Sequence, residues 1–189
     1  MKFIETELPG CYEILPLVSE DPRGSFVKTF HEESFARQGL SAHFSEDFFT
    51  VSNRNVLRGL HFHLPPRAHA KLVYCIQGSV LDAAFDLRKG SPAYGRHVTL
   101  ELSAAKRNML YLPVGLAHGF YVMSAEAVVV YKVTGSHSPA HDGGIRWDSA
   151  GIEWPGSDPI LSDRDAKFPP LSEFKTPFVF EGKKARVRA

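Results

Sequence analysis

The sequence is short of several things, and each shortage removes a class of explanation. Only two of its 189 residues are cysteine, Cys11 and Cys75. They stand in no CxxC or zinc-finger spacing, and two thiols do not make a disulfide framework. Cys75 lies inside the apolar run "LVYCI" and is expected in the core. No apolar run reaches the length of a membrane span. The opening "MKFIETELPG" lacks the apolar stretch of a secretory signal, so a cytoplasmic protein is expected. Lysine plus arginine number 22 against 21 acidic residues, a net charge of +1. Nothing global therefore draws the chain to nucleic acid or to a membrane surface. The basic "KKARVRA" at 183–189 is short and reads as a solvated end. A Gly/Ser-rich linker and internal repeats are also missing. One domain over 1–189 is expected, with its core at about 14–167 and a tail over 172–189.

What is present is a run of short apolar segments rich in Val, Phe, Tyr and Leu, separated by Gly, Pro, Asn, Asp and Ser. "SFVKTF" is the first clear one; "FFTVS", "VLRGLHFHL", "KLVYCIQGSVLDAAFDL", "HVTLEL", "MLYLPV", "HGFYVM" and "AVVVYKVT" follow. Their spacing predicts an all-β sandwich or barrel. Hydrophobic residues make up 43% of the chain, enough for a sizeable core. "CIQGSV" reads as a hairpin turn centred on Gln77 and Gly78. "HEESFARQGL" (31–40) reads as a helix stopped by Gly39. After residue 135 the pattern weakens. "SHSPAHDGG" reads as a loop, and "DPILSDRDAKFPPLSEF" as a short helix closed by Pro169 and Pro170.

The segment "RGLHFHLPP" (58–66) carries two histidines one residue apart. On a strand, His61 and His63 share a face. Such a pair can ligate a metal, or one member can serve as a base in metal-free chemistry. An HxH in an all-β chain invites comparison with the cupin barrel. The second cupin motif is matched by "LPVGLAHGF", with Pro113, Gly115 and His118 in place. The first motif, counted back from Gly78, puts Lys71 where the metal carboxylate belongs. A divalent cation wants neutral imidazoles and anionic oxygens, and an ammonium in its first shell repels it. No metal and no organic cofactor is therefore expected. The metal-free reading uses the same residues better. A histidine near neutral pKa can remove a proton beside a carbonyl. An ammonium can stabilise the enolate, and a tyrosine can return a proton from the other face.

Longer motifs carry a sharper match. "DPRGSF" (21–26), "NVLRGLHF" (55–62), "KLVYCIQGSVLDAAFDLRKGSPAYG" (71–95), "LPVGLAHGF" (112–120), "YK" (131–132), "IRWDSAGIEWP" (145–155) and "PILSDRD" (159–165) occur in order. From about residue 14 to residue 167 the chain resembles the dTDP-4-dehydrorhamnose 3,5-epimerase (RmlC) family. The resemblance implies a cupin-type jelly roll with short peripheral helices and an isomerase. The substrate would be a nucleotide-diphospho-4-keto-6-deoxy sugar, epimerised at carbon 3 and carbon 5 in rhamnose-type deoxysugar biosynthesis.

By position, the resemblance implies His61 as the base and Asp165 as the carboxylate that pairs with it. Lys71 would stabilise the enolate and Tyr131 would be the general acid. Arg58 and His118 would line the phosphate and sugar site. Arg23, with Phe26 in the same motif, would reach the neighbouring subunit's site on a swapped N-terminal strand, which implies a homodimer. His63 stands where the family usually has Gln and is expected to be a polar wall residue.

The departures fall on the nucleotide side. Glu46 and Phe48 replace a Gln and an Asn that touch the nucleotide. Lys28 replaces a Glu, and Ser136 and His137 replace a Tyr pair. A carrier other than dTDP is therefore a live expectation, with Phe48 or Phe49 as a new stacking face.

Each assignment has a plainer alternative. Lys71 could guard a strand edge, Tyr131 could be core, Asp165 could cap a turn, and Arg58 and Arg23 could be surface or turn residues. His69 and His137 carry no role on sequence grounds. Two functional rivals remain: an epimerase acting at carbon 3 only, or a ketoisomerase; and, from another class, a metal-binding or sugar-binding cupin.

Overall fold

The computed structural model describes residues 1–182. The expected solvated basic end at 183–189 lies outside the described residues. In chain order the strands are β1 (Lys2–Glu5), β2 (Tyr12–Leu15), β3 (Leu17–Asp21), β4 (Gly24–Lys28), β5 (Glu46–Asn53), β6 (Leu57–His63) and β7 (Lys71–Gln77). They continue with β8 (Ser79–Asp86), β9 (His97–Ser103), β10 (Met109–Leu112), β11 (Leu116–Val122), β12 (Glu126–Val133) and β13 (Asp142–Gly144). A six-stranded sheet runs β1-β2-β10-β7-β12-β5 and faces a five-stranded sheet, β13-β6-β11-β8-β9. This is the jelly-roll architecture that the strand spacing predicts. β3 and β4 pair only with each other, as a separate hairpin.

Alternation decides what each strand contributes. Along β12, Ala127, Val129 and Tyr131 point between the sheets, joined by Val73 and Cys75 of β7 and by Val80, Ala84 and Phe120. Both cysteines are buried and free. The outer face of the five-stranded sheet is covered by Ile145, Ile152, Phe174 and Phe178 of the C-terminal segment. The outer face of the other sheet is partly covered by helix α1 (Glu32–Gln38) through its buried Phe35. That helix ends on Gly39 in the left-handed region, φ 75°, as the sequence predicts.

Three expectations need correction. The "CIQGSV" segment is not a hairpin, because β7 and β8 belong to different sheets. Gly78, at φ 74°, is a corner that carries the chain across the sandwich. A Cβ there would sit 2.1 Å from the Glu126 carbonyl oxygen, so no side chain fits. The "SHSPAHDGG" loop ends in β13, which pairs with β6 through Asp142 opposite His63 and Gly144 opposite His61. Its glycines lack strand propensity, and backbone pairing with β6 makes it a strand. Finally, β1, β2 and β3 precede the first strand that the sequence makes clear. They are four or five residues long, and β2 is fixed by pairing with the distant β10. The predicted helix near Pro169 is one turn, α2 (Asp163–Ala166), followed by a 3-10 turn at Leu171–Glu173.

Candidate active site

At one end of the sandwich the inward-facing positions change from apolar to titratable. They line a cavity of about 460 Å³. Strands β5, β6, β7, β11 and β12 contribute Glu46, Phe48, Arg58, His61, His63, Lys71, His118 and Tyr131. So every expected pocket residue of the core strands converges on one space. Arg23 and Phe26 do not. They stand on the β3–β4 hairpin, outside this cavity, with Phe26 63% exposed and the Arg23 guanidinium paired with Asp21 of the same hairpin.

The placement of Arg58 was not readable from alternation. Arg58 and His61 are three residues apart and should face opposite ways. In β6, however, His61 lies opposite His118, and Arg58 lies opposite Phe120. Three steps on β6 thus match two on β11, so β6 carries one extra residue, a bulge. Gly59 and Gly119 make room for it. A Cβ on Gly59 would lie 2.6 Å from the Gly119 Cα, and one on Gly119 would lie 2.7 Å from the Arg58 carbonyl oxygen.

The Nε2 of His61 lies 2.8 Å from Oδ1 of Asp165. The other carboxylate oxygen, Oδ2, accepts the Gly59 backbone N–H at 3.1 Å. Asp165 is buried at 2% exposure, and helix α2 delivers it. Ser162 caps that helix by accepting the Asp165 backbone N–H at 3.1 Å. Burial alone would raise the Asp165 carboxyl. The hydrogen bond and charge of His61, with the Gly59 N–H and Ser162, outweigh it and bring the group down to about 2. Burial lowers His61, Asp165 opposes, and Lys71 and Arg164 add to the lowering. The ring therefore rests neutral at pH 7, with Asp165 beside Nε2.

Lys71 donates from Nζ to the main-chain oxygen of His61 at 3.2 Å. Burial brings its ammonium down to about 8, against the pull of Asp142 and Asp82. Tyr131 is buried, and burial raises its hydroxyl above the ordinary phenol range. Its ring stacks on Phe48 across the strand pair, 4.9 Å between centroids at 12°. Phe48, expected as a stacking face for a base, thus has one face committed to Tyr131. Arg58 donates from Nε to the Ser52 hydroxyl at 2.9 Å. Glu46 accepts the His137 backbone N–H at 2.9 Å.

Other residues of the site were missed. Arg164 reaches within 2.9 Å of His61 Nε2 and 3.3 Å of Asp165 Oδ1, and it is also bonded to Asp142. Its place beside Asp165 in "LSDRD" was the available signal. His118 is paired through Nε2 with Asp82 at 2.9 Å, both fully enclosed. A lone Asp in the apolar "LDAAF" was the clue, because a buried charge needs a partner. His69 and His137 also line the cavity.

A metal does not suit these groups. The Lys71 ammonium stands in the same wall as His61, His63 and His118 and would repel a divalent cation there. Among the described residues no group of three or more His, Cys, Asp and Glu side chains is arranged to hold a metal ion. Likewise, no helix among them is long and apolar enough to cross a membrane.

Comparison with known proteins closes the case for kinship. The family described as dTDP-4-dehydrorhamnose 3,5-epimerase matches residues 5–173. The enzyme of that name from Shigella flexneri is 43% identical over 168 residues, covering 87% of this chain and 93% of that protein. The one from Methanothermobacter thermautotrophicus is 42% identical, covering 91% and 95%. Among solved structures, dTDP-6-deoxy-D-glucose-3,5-epimerase RmlC from Legionella pneumophila, in complex with dTDP-4-keto-L-rhamnose, superposes with a TM-score of 0.88. It is 34% identical, covering 92% of this chain and 94% of that one. Kinship of this extent, with the His61–Asp165 pair, Lys71 and Tyr131 in one cavity, places the chain in the dTDP-4-dehydrorhamnose 3,5-epimerase family.

Proposed function

We propose that this chain inverts carbon 3 and carbon 5 of a nucleotide-diphospho-4-keto-6-deoxy sugar, as a step of deoxysugar biosynthesis. The observation that carries the reading is the convergence on one cavity of His61, hydrogen-bonded to the buried Asp165 behind it, a lysine of lowered pKa and a proton-retaining tyrosine. With Asp165 on Nε2, His61 keeps Nδ1 free to take the proton beside the keto group. Asp165 fixes the ring and stabilises the imidazolium. The electron pair left on carbon moves to the keto oxygen, and the Lys71 ammonium stabilises that enolate. Tyr131 then delivers its proton to the opposite face. The ketone acidifies the hydrogens at both carbons, so once His61 has released its proton to solvent and Tyr131 has regained one, the cycle runs a second time.

The working form in this reading is a homodimer. The β3–β4 hairpin leaves Leu17, Val18 and Phe26 exposed, and the outer face of the six-stranded sheet exposes Phe49, Val51 and Ile76. A second copy of the chain would cover these surfaces and bring Arg23 and Phe26 to its partner's cavity. Two buried free thiols suit a reducing, cytoplasmic setting.

The test is solvent-deuterium incorporation in heavy water, with 4-keto-6-deoxyglucose carried in turn on dTDP, CDP, GDP and UDP. Label at both carbons with one carrier is expected, and that carrier is thereby named. Label at carbon 3 alone would reduce the reading to a single epimerase. No label with any carrier would overturn it.

A further inference from the structure

Arg164 touches the base, yet the chemistry above gives it no part. It precedes Asp165 on helix α2, and its guanidinium is tethered. One terminal nitrogen donates to Asp142 of β13. Nε lies 3.3 Å from Oδ1 of Asp165. The guanidinium carbon stands over the Phe168 ring, 5.6 Å from its centroid. The same ring meets that of His61 edge-on, 5.7 Å between centroids, so one aromatic side chain supports both groups. The other terminal nitrogen is 2.9 Å from Nε2 of His61. With the Nε2 proton directed to Asp165, that approach sets a positive charge against the ring without a hydrogen bond to it.

Proton abstraction turns His61 into a second cation, and a like charge beside it disfavours that form. Among the described residues, the other charged and titratable groups around the ring come from several elements. They are Asp165 on α2, Asp142 on β13, Lys71 on β7, and Arg58 and His63 on β6 itself. His118 of β11, opposite His61, is already paired with Asp82. Asp165 and Asp142 are the carboxylates of this set, and Arg164 is bonded to both. Its charge thus cancels one of the two that would favour the imidazolium. Lys71 answers to the same groups: Asp142 favours its ammonium and Arg164 opposes it. The guanidinium therefore pushes the base and the ammonium in one direction, toward losing a proton. The Arg164 side chain is 52% exposed, so water screens part of this effect.

We infer that Arg164 is a positioning residue: held on Asp142, Asp165 and Phe168, its guanidinium sets the charge around His61 and Lys71, and with it the pH range in which both stand ready for epimerisation. This rests on the epimerase reading for the roles of His61 and Lys71, but part of its test needs no turnover. Arg164→Gln keeps an N–H donor and drops the charge; Arg164→Lys keeps the charge. NMR would follow the His61 ring in the ligand-free proteins. In Arg164→Gln it should titrate about half a pH unit or more above wild type. Both limbs of the kcat/KM profile should move to higher pH together, since losing one cation favours the protonated forms of His61 and Lys71 alike. Arg164→Lys should return both limbs toward their wild-type positions. The difference between wild type and Arg164→Gln should narrow in about 1 M salt, as screening predicts. A loss of packing alone could lower kcat, but it would not carry both limbs the same way or be reversed by lysine. An unchanged His61 titration in Arg164→Gln, or limbs that move in opposite directions, would overturn the inference. So would an Arg164→Lys protein that titrates as Arg164→Gln does. The expected His61 shift in a protein that incorporates no deuterium would instead locate the error in the proposed reaction.

Discussion

His61 Nε2 is approached by two groups that ask opposite things of it. Oδ1 of Asp165 lies at 2.8 Å and needs a proton on that nitrogen, while an Arg164 N–H at 2.9 Å needs a lone pair there. Only the first arrangement leaves Nδ1 free to act as a base. Asp165 wins on geometry, because it is buried and held by Gly59 and Ser162, whereas the Arg164 side chain is 52% exposed.

Replacing Asp165 by Asn should therefore leave the fold and remove the tautomer control. The expected loss in kcat is about 10²–10⁴. Stability should respond too. The folded carboxyl sits at about 2 against 3.8 for its unperturbed value. Its contribution, about 2 kcal/mol, is present above the unfolded pKa and disappears as pH falls toward the folded one. Urea melts of wild type and Asp165→Asn at neutral and acid pH check this. A variant that turns over at the wild-type rate would remove Asp165 from the mechanism.

In the proposed mechanism the lowered Lys71 pKa sets the alkaline side of the pH profile. The enolate needs an ammonium, so kcat/KM should decline as pH rises through about 8, well before an unperturbed lysine would titrate at about 10.4. His61 must be neutral to accept a proton, and its pKa lies below 6.5. The acid limb should fall below that value. Lys71→Arg should slow the reaction and carry the alkaline limb out of range. If the limb stayed near pH 8 in the variant, another group would own it.

The bulge in β6 is the backbone device that puts Arg58 and His61 in the same cavity, and it depends on Gly119. A Cβ there meets backbone, the Arg58 carbonyl oxygen at 2.7 Å, and not the tip of a flexible side chain. Gly119→Ala should cost about 1–3 kcal/mol of stability. It should also lower activity by more than the unfolded fraction explains, since the strand must shift beneath His61. Thermal melts beside assays at a temperature where the variant is folded separate the two effects.

How much of this was written in the chain depends on what each feature rests on. The strands with strong period-two patterns were legible, because alternation is a local property. His61 and Lys71 could be singled out from the spacing of motifs on such strands, whereas Tyr131 and Asp165 were located by resemblance, since "AVVVYK" alone reads as core. Arg58 was located by resemblance and would have been misplaced by alternation, since a bulge is a property of two strands in register. Asp82 and Arg164 escaped notice because their partners, His118 and His61, are distant in sequence. The Gly78 corner imitated a hairpin, as a glycine between two apolar runs does whether the next strand pairs with the last or crosses the sandwich. Arg23 and Phe26 have no place in the cavity of their own chain, and no reading of one chain could give them one.

Tyr131 should divide exchange from inversion. Its raised pKa keeps the hydroxyl protonated, so it is a donor and not a competing base. In Tyr131→Phe, His61 still removes the substrate proton and can return a solvent-derived one to the same face. Deuterium should then enter the sugar without net epimerisation, while inversion falls about 10²–10⁴. NMR of the recovered sugar reads both quantities at once. Undiminished inversion at both carbons would assign the acid to another group.

The exposed hairpin offers the most discriminating test of the dimer. If Arg23 serves the partner's cavity, a mixed dimer of Arg23→Ala and His61→Ala chains contains one site with both residues intact and one with neither. Each homodimer lacks one of them at every site: the first keeps His61 but loses the guanidinium, and the second loses the base. Coexpression should therefore yield activity well above the sum of the two parents, approaching half of wild type for each mixed dimer. If Arg23 acted within its own chain, every chain in the mixture would lack one residue at its own site, and mixing would restore nothing. Because the outcome depends on which chain supplies each residue, it distinguishes an exchanged hairpin from a dimer that merely buries Phe26.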